Sequence, residues 1–128
     1  MAIFNHSFPK EERLTSKVAI DQLFNNGNSL NVKPFKIRWL RDLERSTVNV
    51  KVLISVPKRI FKRAVDRNKL KRLFREAYRL NKHLLNNKLD NKKVNVMFVY
   101  SSPKIISFSE MESYVVDAMN ELVKKIDG

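Results

Sequence analysis

The residues of this chain best suited to chemistry are the cations between Lys58 and Lys82. Eleven basic and two acidic side chains fall in that segment, which carries nine of the formal net charge of +13. At its centre stands the run Arg67-Asn68-Lys69-Leu70-Lys71-Arg72-Leu73-Phe74-Arg75-Glu76. Arginine suits a polyanion, because its planar guanidinium can donate two hydrogen bonds to one phosphate. The segment therefore predicts a surface that binds a polyanion, with RNA the favoured class.

These cations fall on one face of a predicted helix. The helix begins between Arg63 and Asp66 and runs to about Asn86. At about 100° per residue, apolar and polar positions occupy opposite arcs of that helix. The apolar arc contains Leu70, Leu73, Phe74, Ala77, Leu80 and Leu84. The polar arc contains Asn68, Lys71, Arg72, Arg75, Arg79 and Lys82. We predict that the apolar arc packs on a sheet while the polar arc faces a ligand, where the Asn68 amide could meet a base edge or a ribose hydroxyl.

An ordinary solvated helix face is the alternative interpretation of the polar arc. Solvated faces usually mix the two signs of charge and gain pairs at i,i+4, whereas Glu76 is almost the only acid in this arc. Collecting like charges also destabilises the folded chain unless an anion neutralises them. A binding surface is therefore favoured over a solvated one.

Composition bounds the remaining possibilities. The 128 residues suffice for one domain with a core, and we expect residues 1–128 to form a single RNA-binding domain with a loosely ordered arm over residues 1–12. The chain has no cysteine, which suits the reducing cytoplasm, and its two histidines, His6 and His83, are far apart. We find no nucleophile–base pair, metal-ligand cluster or glycine-rich phosphate loop. No apolar run approaches the ~20 residues that span a bilayer, and the N-terminus lacks the order of a signal peptide.

Three classes of protein compete for this composition. A small ribosomal or RNA-chaperone protein would share its size and its charge, with an isoelectric point near 10.2. A membrane-surface protein would need an amphipathic helix whose apolar face is free, but the apolar arc of the basic helix is better buried on a sheet. A stand-alone nuclease would need clusters of acids or histidines, which we do not find.

The elements that must position the basic helix follow from periodicity. Thr15 or Ser16 can cap a first helix that Gly27 ends. The apolar positions of that helix are Val18, Ile20, Leu23 and Phe24. Phe35 to Leu40 alternates as a half-buried strand does, with Lys36 and Arg38 opposite the core-facing Phe35, Ile37 and Trp39. The segment Leu30 to Pro34 can add a short edge strand.

Two further strands and a last helix complete the expected order. Val48 to Val56 alternates and ends at Pro57, and the polar segment Arg41 to Thr47 is short enough for a hairpin loop. Val94 to Tyr100 is a further strand. Ser109 is predicted to cap the final helix, which Glu110 and Glu112 favour through its dipole. Its apolar stripe is Met111, Val115, Ala118, Met119, Leu122 and Ile126. The fold class is α+β, a two-layer α/β sandwich in the order α-β-β-(β)-α-β-α.

Several motifs together resemble the bacterial ribonuclease P protein component. Arg67-Asn68-x-x-Lys71-Arg72-x-x-Arg75-Glu76 looks like the signature of that family. The opening resembles the family in Phe8-Pro9-Lys10, Arg13-Leu14 and Phe24-x-x-Gly27-x-Ser29, and Val52-x-Ile54-Ser55-Val56-x-Lys58-Arg59 resembles the strand before the signature. The strand Val94 to Tyr100 stands where the last strand of the family should. The ordered set covers nearly the whole chain, which makes it far more specific than one basic helix.

The resemblance implies a protein subunit that binds the catalytic RNA of ribonuclease P and the 5′ leader of precursor tRNA. It implies no catalytic side chain and no cofactor bound by the protein, since the RNA and its magnesium ions perform the cleavage. The RNA-subunit contacts implied are Lys58, Arg59, Arg67, Asn68, Lys71, Arg72, Arg75 and Arg79. A cleft between the first helix and the sheet is implied to hold the leader through Ile20, Phe24, Lys36, Arg38 and Ser55. Aromatic stacking combined with cations is the usual physics of such single-strand grooves, although Phe24 could equally be a core residue.

Two positions depart from the pattern of the family. Ile20 stands where the family tends to have an aromatic residue, which weakens the case for stacking there. Phe61-Lys62-Arg63 stands where the turn before the signature usually contains a glycine, so this loop either extends the basic surface or reshapes the start of the helix. The resemblance also implies a ribosomal-protein-like fold with a left-handed βαβ crossover, where general topology rules favour the right-handed one.

Overall fold

A computed structural model describes residues 8–41, 50–89 and 92–127 of the chain. A short 3-10 helix, Lys10–Glu12, precedes the regular elements. Those elements are α1 (Lys17–Asn26), β1 (Asn28–Val32), β2 (Phe35–Arg41), β3 (Val50–Ser55), α2 (Ala64–Asn81), α3 (His83–Asn86), β4 (Val94–Tyr100) and α4 (Phe108–Asp127). The predicted α+β class, the edge strand and the order of elements are confirmed. The predicted basic helix corresponds to α2 and α3, which are separated at Lys82.

The four strands form one sheet in the order β1-β2-β4-β3. Strand β2 is antiparallel to both β1 and β4, whereas β3 and β4 are parallel neighbours joined through α2. The prediction of a hairpin through Arg41 to Thr47 is therefore wrong, because β4 lies between β2 and β3 in the sheet. The βαβ unit of β3, α2 and β4 agrees with the predicted crossover, whose left-handed sense remains a prediction.

The larger core lies between one face of the sheet and helices α2 and α4. The inward positions of β2, β3 and β4 alternate along each strand and meet the apolar stripes of both helices. Phe74 of α2 packs 5.7 Å from the Phe35 ring and 5.0 Å from the Phe98 ring, measured between centroids. All six residues of the predicted α4 stripe are buried. Phe35 is core as expected, while Trp39 is only partly buried at the edge of this cluster.

Helix α1 packs on the opposite face of the same sheet. A smaller core there joins Leu14 and Leu23 to Met97 of β4, with Ile20 and Leu53 partly buried around them. The two-layer description therefore holds for the sheet with α2 and α4, and α1 adds a third, partial layer. Because one 10-residue helix cannot cover a four-stranded face, part of that face stays open.

Both ends of α1 are fixed by local chemistry. The Ser16 hydroxyl accepts a hydrogen bond from the Ala19 amide, which confirms Ser16 as the cap. At the other end the Gly27 amide donates to the Leu23 carbonyl at 3.0 Å. A Cβ on Gly27 would lie 2.3 Å from that carbonyl oxygen, so the tight exit from α1 requires glycine.

Helix α4 begins at Phe108, two residues before the start that a cap at Ser109 implies. The Ser107 hydroxyl accepts from the Glu110 amide, and the Glu110 carboxylate accepts from the Ser107 amide and hydroxyl. This reciprocal arrangement is a capping box. The prediction that Ser109 caps the helix is therefore wrong. Ser109 also stands three residues before a glutamate, but the Glu112 carboxylate accepts from the Asn81 amide group of α2 at 3.0 Å, and Ser109 lies inside the first turn.

Candidate nucleic-acid interface

Helix α2 carries the predicted basic face. Its buried residues are Leu70, Phe74, Ala77 and Tyr78, which dock it on the sheet and on α4. On the other side Asn68, Arg72 and Arg75 are exposed, and Lys71 and Arg79 are partly exposed. Asp66 in the first turn complements the positive end of the helix dipole. The structure thus brings five of the predicted RNA-contacting residues onto one face.

Arg67 lies on the flank of α2 rather than in the middle of that face. One of its terminal nitrogens, Nη1, donates to the carbonyls of Phe61 and Lys62 at 2.8 and 2.9 Å. These bonds fix the loop that enters the helix. Arg67 therefore orders the neighbouring basic residues, a role that the signature alone did not reveal.

The loop between β3 and α2 presents further cations. Lys58 and Arg59 are exposed in a tight turn, where the amides of Ile60 and Phe61 both donate to the Pro57 carbonyl. Phe61 is buried, with its ring 6.1 Å from that of Tyr100. Lys62 and Arg63 are exposed. The unusual loop is thus anchored by its phenylalanine and extends the basic surface with its two cations.

Lys82 does not belong to the exposed basic face, contrary to the sequence prediction. It is only 5% exposed, and its ammonium lies 2.9 and 3.0 Å from the two carboxylate oxygens of Glu12. The N-terminal segment causes this burial, because Phe8 packs 5.3 Å from the Tyr78 ring on the same flank. Burial also raises the pKa of Tyr78, and the nearby Glu12 charge adds to the effect. Of the arm predicted to be loosely ordered, residues 8–12 are therefore held in place, while residues 1–7 lie outside the described residues.

Glu76 is occupied by an ion pair at the edge of the basic face. Its carboxylate accepts from Arg79 Nε at 3.1 Å, and this hydrogen bond lowers the pKa of Glu76 and raises that of Arg79. A carboxylate held in an exposed pair of this kind is poorly suited to act as a general base, because its proton affinity is reduced.

A second polar surface lies on the open part of the sheet beside α1. A cleft there is bounded by Phe24 at the end of α1 and floored by side chains of three strands. Its polar and apolar lining includes Phe24, Ser29, Asn31, Lys36, Arg38, Met97 and Val99. Phe24 is 55% exposed, so it is not a core residue and its ring is available for stacking. Arg38 Nη1 donates to the carbonyls of Leu23 and Phe24 at 3.4 and 3.3 Å, which ties the end of α1 to β2.

The other two predicted cleft residues lie outside this lining. Ile20 is partly buried in the small core against Met97, so it supports α1 from beneath. Ser55 is on the same face of the sheet, but β4 separates it from Lys36, since Val99 pairs with both residues. Two strand spacings of about 4.8 Å put the Ser55 backbone roughly 10 Å from that of Lys36.

Sequence reasoning missed four residues of the cleft: Ser29, Asn31, Met97 and Val99. The register of the sheet places Ser29 opposite Arg38 and Asn31 opposite Lys36, with Met97 and Val99 on their other side. Alternation along β4 places Met97 and Val99 on the same face of the strand. Assigning both residues to the cleft also requires knowing that β4 lies beside β2, and the alternation within one strand does not show which strands are neighbours.

Other kinds of site find no support in the described residues. No three His, Cys, Asp or Glu side chains within residues 8–41, 50–89 and 92–127 lie close enough to share a metal ion. The helices described there are all too short or too polar to cross a bilayer.

Comparisons with known proteins find similar sequences over nearly the whole chain. A family model described as Ribonuclease P matches residues 8–127. The chain is 38% identical over 121 residues to the ribonuclease P protein component of Porphyromonas gingivalis, covering 93% of this chain and 85% of that one. It is 30% identical over 122 residues to the same component of Desulforapulum autotrophicum, covering 95% and 94% of the two chains.

Solved structures of two further proteins share the fold. The RNase P protein of Staphylococcus aureus has a TM-score of 0.69 at 18% identity, with 88% of this chain and 95% of that chain covered. The RNase P protein of Thermotoga maritima also has a TM-score of 0.69, at 21% identity, with coverage of 86% and 96%. At these identities the structural likeness concerns the fold alone.

Proposed function

This chain belongs to the ribonuclease P protein component family, and from that membership we propose how its two polar surfaces divide the work of the enzyme. It is the protein subunit of the tRNA-processing ribonuclease P, and its partner is the ribonuclease P RNA. The basic face of α2 binds the RNA subunit, and the cleft beside α1 binds the single-stranded 5′ leader of precursor tRNA. The observation that carries this division is the placement of α1 and α2 on opposite faces of the sheet.

The basic face of α2 suits structured RNA. Asn68, Lys71, Arg72, Arg75 and Arg79 follow one another along about three turns of a rigid helix. Cations in that arrangement neutralise phosphates and release counterions, which gives affinity with little dependence on sequence. Lys58 and Arg59 extend this surface, and Arg67 holds the loop that carries them.

The cleft beside α1 suits a single strand. Phe24 offers an exposed ring on which a base can stack, and Lys36 with Arg38 offers positive charge for the backbone. Ser29 and Asn31 add hydrogen-bonding groups that can meet ribose or base edges. Ile20 supports the helix, and Ser55 would contact a strand that continues across β4 toward β3.

The protein positions substrate, and the chemistry belongs to the RNA. We propose that magnesium ions are held by phosphates of the RNA subunit, since the described residues offer no cluster of ligands for one. The protein raises the affinity of the holoenzyme for substrates that carry a leader and leaves the bond-breaking step to the RNA. We also propose that residues 1–128 act as one RNA-binding domain in the cytoplasm.

Reconstitution tests the proposal. Purified protein is added to a bacterial ribonuclease P RNA at low magnesium, and 5′ cleavage of precursor tRNA is followed. We expect cleavage to be stimulated, because the cations of α2 replace part of the screening that magnesium otherwise provides. Folded protein that gives no stimulation would refute the function, and equal binding of precursor and mature tRNA would favour a general RNA chaperone.

A further inference from the structure

A small polar pocket lies at the other end of α1 from the leader cleft. It is lined by the start of that helix and by residues of β3 and β4 beneath it, among them Arg13, Ser16, Gln22, Lys51 and Asn95. Lys51 and Asn95 are direct partners in the parallel pairing of β3 with β4. The pocket therefore joins a helix N-terminus, a lysine and two side-chain amides on one side of the sheet.

Asn95 is the unusual residue of this pocket. It is only 7% exposed, and its side-chain oxygen Oδ1 is buried with no hydrogen-bond partner in the structure. A buried polar group without a partner destabilises a fold, so such groups are rare and call for an explanation. Because the terminal amide turns easily about its last torsion, it can present either a donor or an acceptor to the pocket.

The rest of the pocket favours an anion. The first turn of α1, which is fully described, contains no acidic residue to offset the helix dipole. Ser16 accepts from the Ala19 amide, and the amides before Ala19 have no partner within the helix. Lys51 on β3 adds positive charge beside these amides, whereas the Arg13 guanidinium donates to the Phe8 carbonyl at 3.1 Å and lies on the side toward α2. A phosphate fits this environment.

Arg13 also connects the pocket to the basic face of α2. It lines a neighbouring groove along the β3 edge together with Phe74 and Arg75 of α2. A polynucleotide bound to α2 can therefore continue along that edge into the pocket. The leader cleft, in contrast, lies at the far end of α1 around Phe24.

We propose that this pocket binds one nucleotide of the ribonuclease P RNA, with its phosphate at the start of α1 and Lys51 and its ribose 2′-hydroxyl on Asn95. The 2′-hydroxyl is both a donor and an acceptor, so it completes the bonding of an amide that the protein leaves unpaired, and it distinguishes RNA from DNA. The inference rests on the proposed function, because it extends the surface that binds the RNA subunit.

Two variants test the pocket, with Lys125→Ala as a matched control on an exposed site of α4. Asn95→Leu removes the unpaired amide oxygen while keeping the branched shape of the side chain, so the free protein should melt at the same temperature or higher. Affinity for the RNA subunit should fall about fivefold. Lys51→Ala should lower the magnitude of the slope of log affinity against log salt by about 0.7 to 0.9, the contribution of one phosphate contact. Affinities of both variants equal to that of Lys125→Ala would overturn the proposal.

The nucleotide itself can be identified by interference. RNA subunits carrying random 2′-deoxy substitutions are selected for binding to wild-type protein and to Asn95→Leu. We expect at least one position where the deoxy substitution weakens binding of wild type and leaves Asn95→Leu unaffected. Identical interference patterns would refute the contact with Asn95. Selective loss of precursor over mature tRNA binding in Lys51→Ala would also refute the proposal, since it would place the leader in this pocket.

Failure of this inference can be told apart from failure of the proposed function. Wild-type protein that stimulates the RNA subunit, with both variants behaving as the control does, would leave the function standing and remove only the pocket. Wild-type protein that fails to stimulate the RNA subunit would refute the proposed function itself.

Discussion

The basic face of α2 and the cleft beside α1 are built differently, and we propose that they bind RNA by different means. The face of α2 repeats one kind of group along a single helix, so its binding energy should come from many similar contacts with phosphates. The cleft gathers unlike groups from α1, β1, β2 and β4 around one exposed ring. Its binding energy should depend on stacking and on a few hydrogen bonds. We infer from this difference that the basic face of α2 provides affinity for any RNA, whereas the cleft distinguishes a single strand.

The largest expected loss of stability is at Lys82, where the exposed basic face ends. Changing Lys82 to alanine leaves the Glu12 carboxylate buried without its partner, so we expect the free energy of unfolding to fall by about 3–5 kcal/mol. Arg79→Ala, one helical turn earlier in an exposed pair with Glu76, should change the free energy of unfolding very little. Urea denaturation measures both values. Similar losses for the two variants would contradict the assignment of Lys82 to a buried pair.

A paired replacement separates stability from binding at the same site. Glu12→Leu with Lys82→Met removes both charges, so we expect much of the stability lost in the single variant to return. Because Lys82 is buried, the double variant should keep the salt dependence of RNA binding seen for wild type. A smaller slope of log affinity against log salt would show that Lys82 belongs to the binding face after all.

The next effect concerns the cleft alone. Gly27→Ala places a methyl group 2.3 Å from the Leu23 carbonyl, so α1 must shift at a cost of about 1–3 kcal/mol. Since Phe24 stands at that end of α1, binding of precursor tRNA should weaken while binding of the RNA subunit is kept. Asn26→Ala, an exposed change beside it, serves as the control. Equal loss at both surfaces would show that cleft and helix face are not independent.

A smaller effect should appear on α2. Arg72→Ala removes one exposed cation, so the slope of log affinity for the RNA subunit against log salt should fall in magnitude by about 0.9. The preference for precursor over mature tRNA should not change. Binding measured at several salt concentrations gives both results, and an unchanged slope would remove Arg72 from the interface.

The smallest effect should come from Arg38, which serves the cleft in two ways. Arg38→Ala removes two long hydrogen bonds to the end of α1, which should cost about 1 kcal/mol of stability. It also removes a cation from the cleft, so precursor tRNA should be bound more weakly relative to mature tRNA. Arg41→Ala at the exposed end of β2 is the matched control. Equal losses for precursor and mature tRNA would argue against the cleft.

The contrast between the two surfaces also explains what sequence could predict. The basic face lies on one helix, and the periodicity of that helix identified Asn68, Lys71 and Arg72 correctly as outward residues. The failure is Lys82, which follows the last residue of α2 and is buried because Glu12, far away in the sequence, pairs with its ammonium. Arg67 likewise bonds the carbonyls of the preceding loop, and its predicted RNA contact stays a prediction. Periodicity within a helix carries no information about such partners.

The cleft depends on strand order, which is a non-local property. Alternation along β2 correctly separated Lys36 and Arg38 from Phe35, but it could not show that β4 rather than β3 lies beside them. For that reason a hairpin through Arg41 to Thr47 was expected, and Met97 and Val99 were missed. The Ser109 error concerns only the start of α4. Ser107 and Ser109 each stand three residues before a glutamate, and only the hydrogen bonds in the structure select Ser107 as the cap.

The most direct measurement compares how one variant from each surface discriminates precursor from mature tRNA in the reconstituted holoenzyme. Phe24→Ala should weaken precursor binding about tenfold through the loss of a stacked base, with mature tRNA unaffected, while Ile105→Ala, another exposed apolar side chain, should change neither. Arg72→Ala should weaken assembly with the RNA subunit and leave the ratio of precursor to mature affinity at its wild-type value. A ratio that falls for Arg72→Ala and stays unchanged for Phe24→Ala would contradict the division of function between the two surfaces.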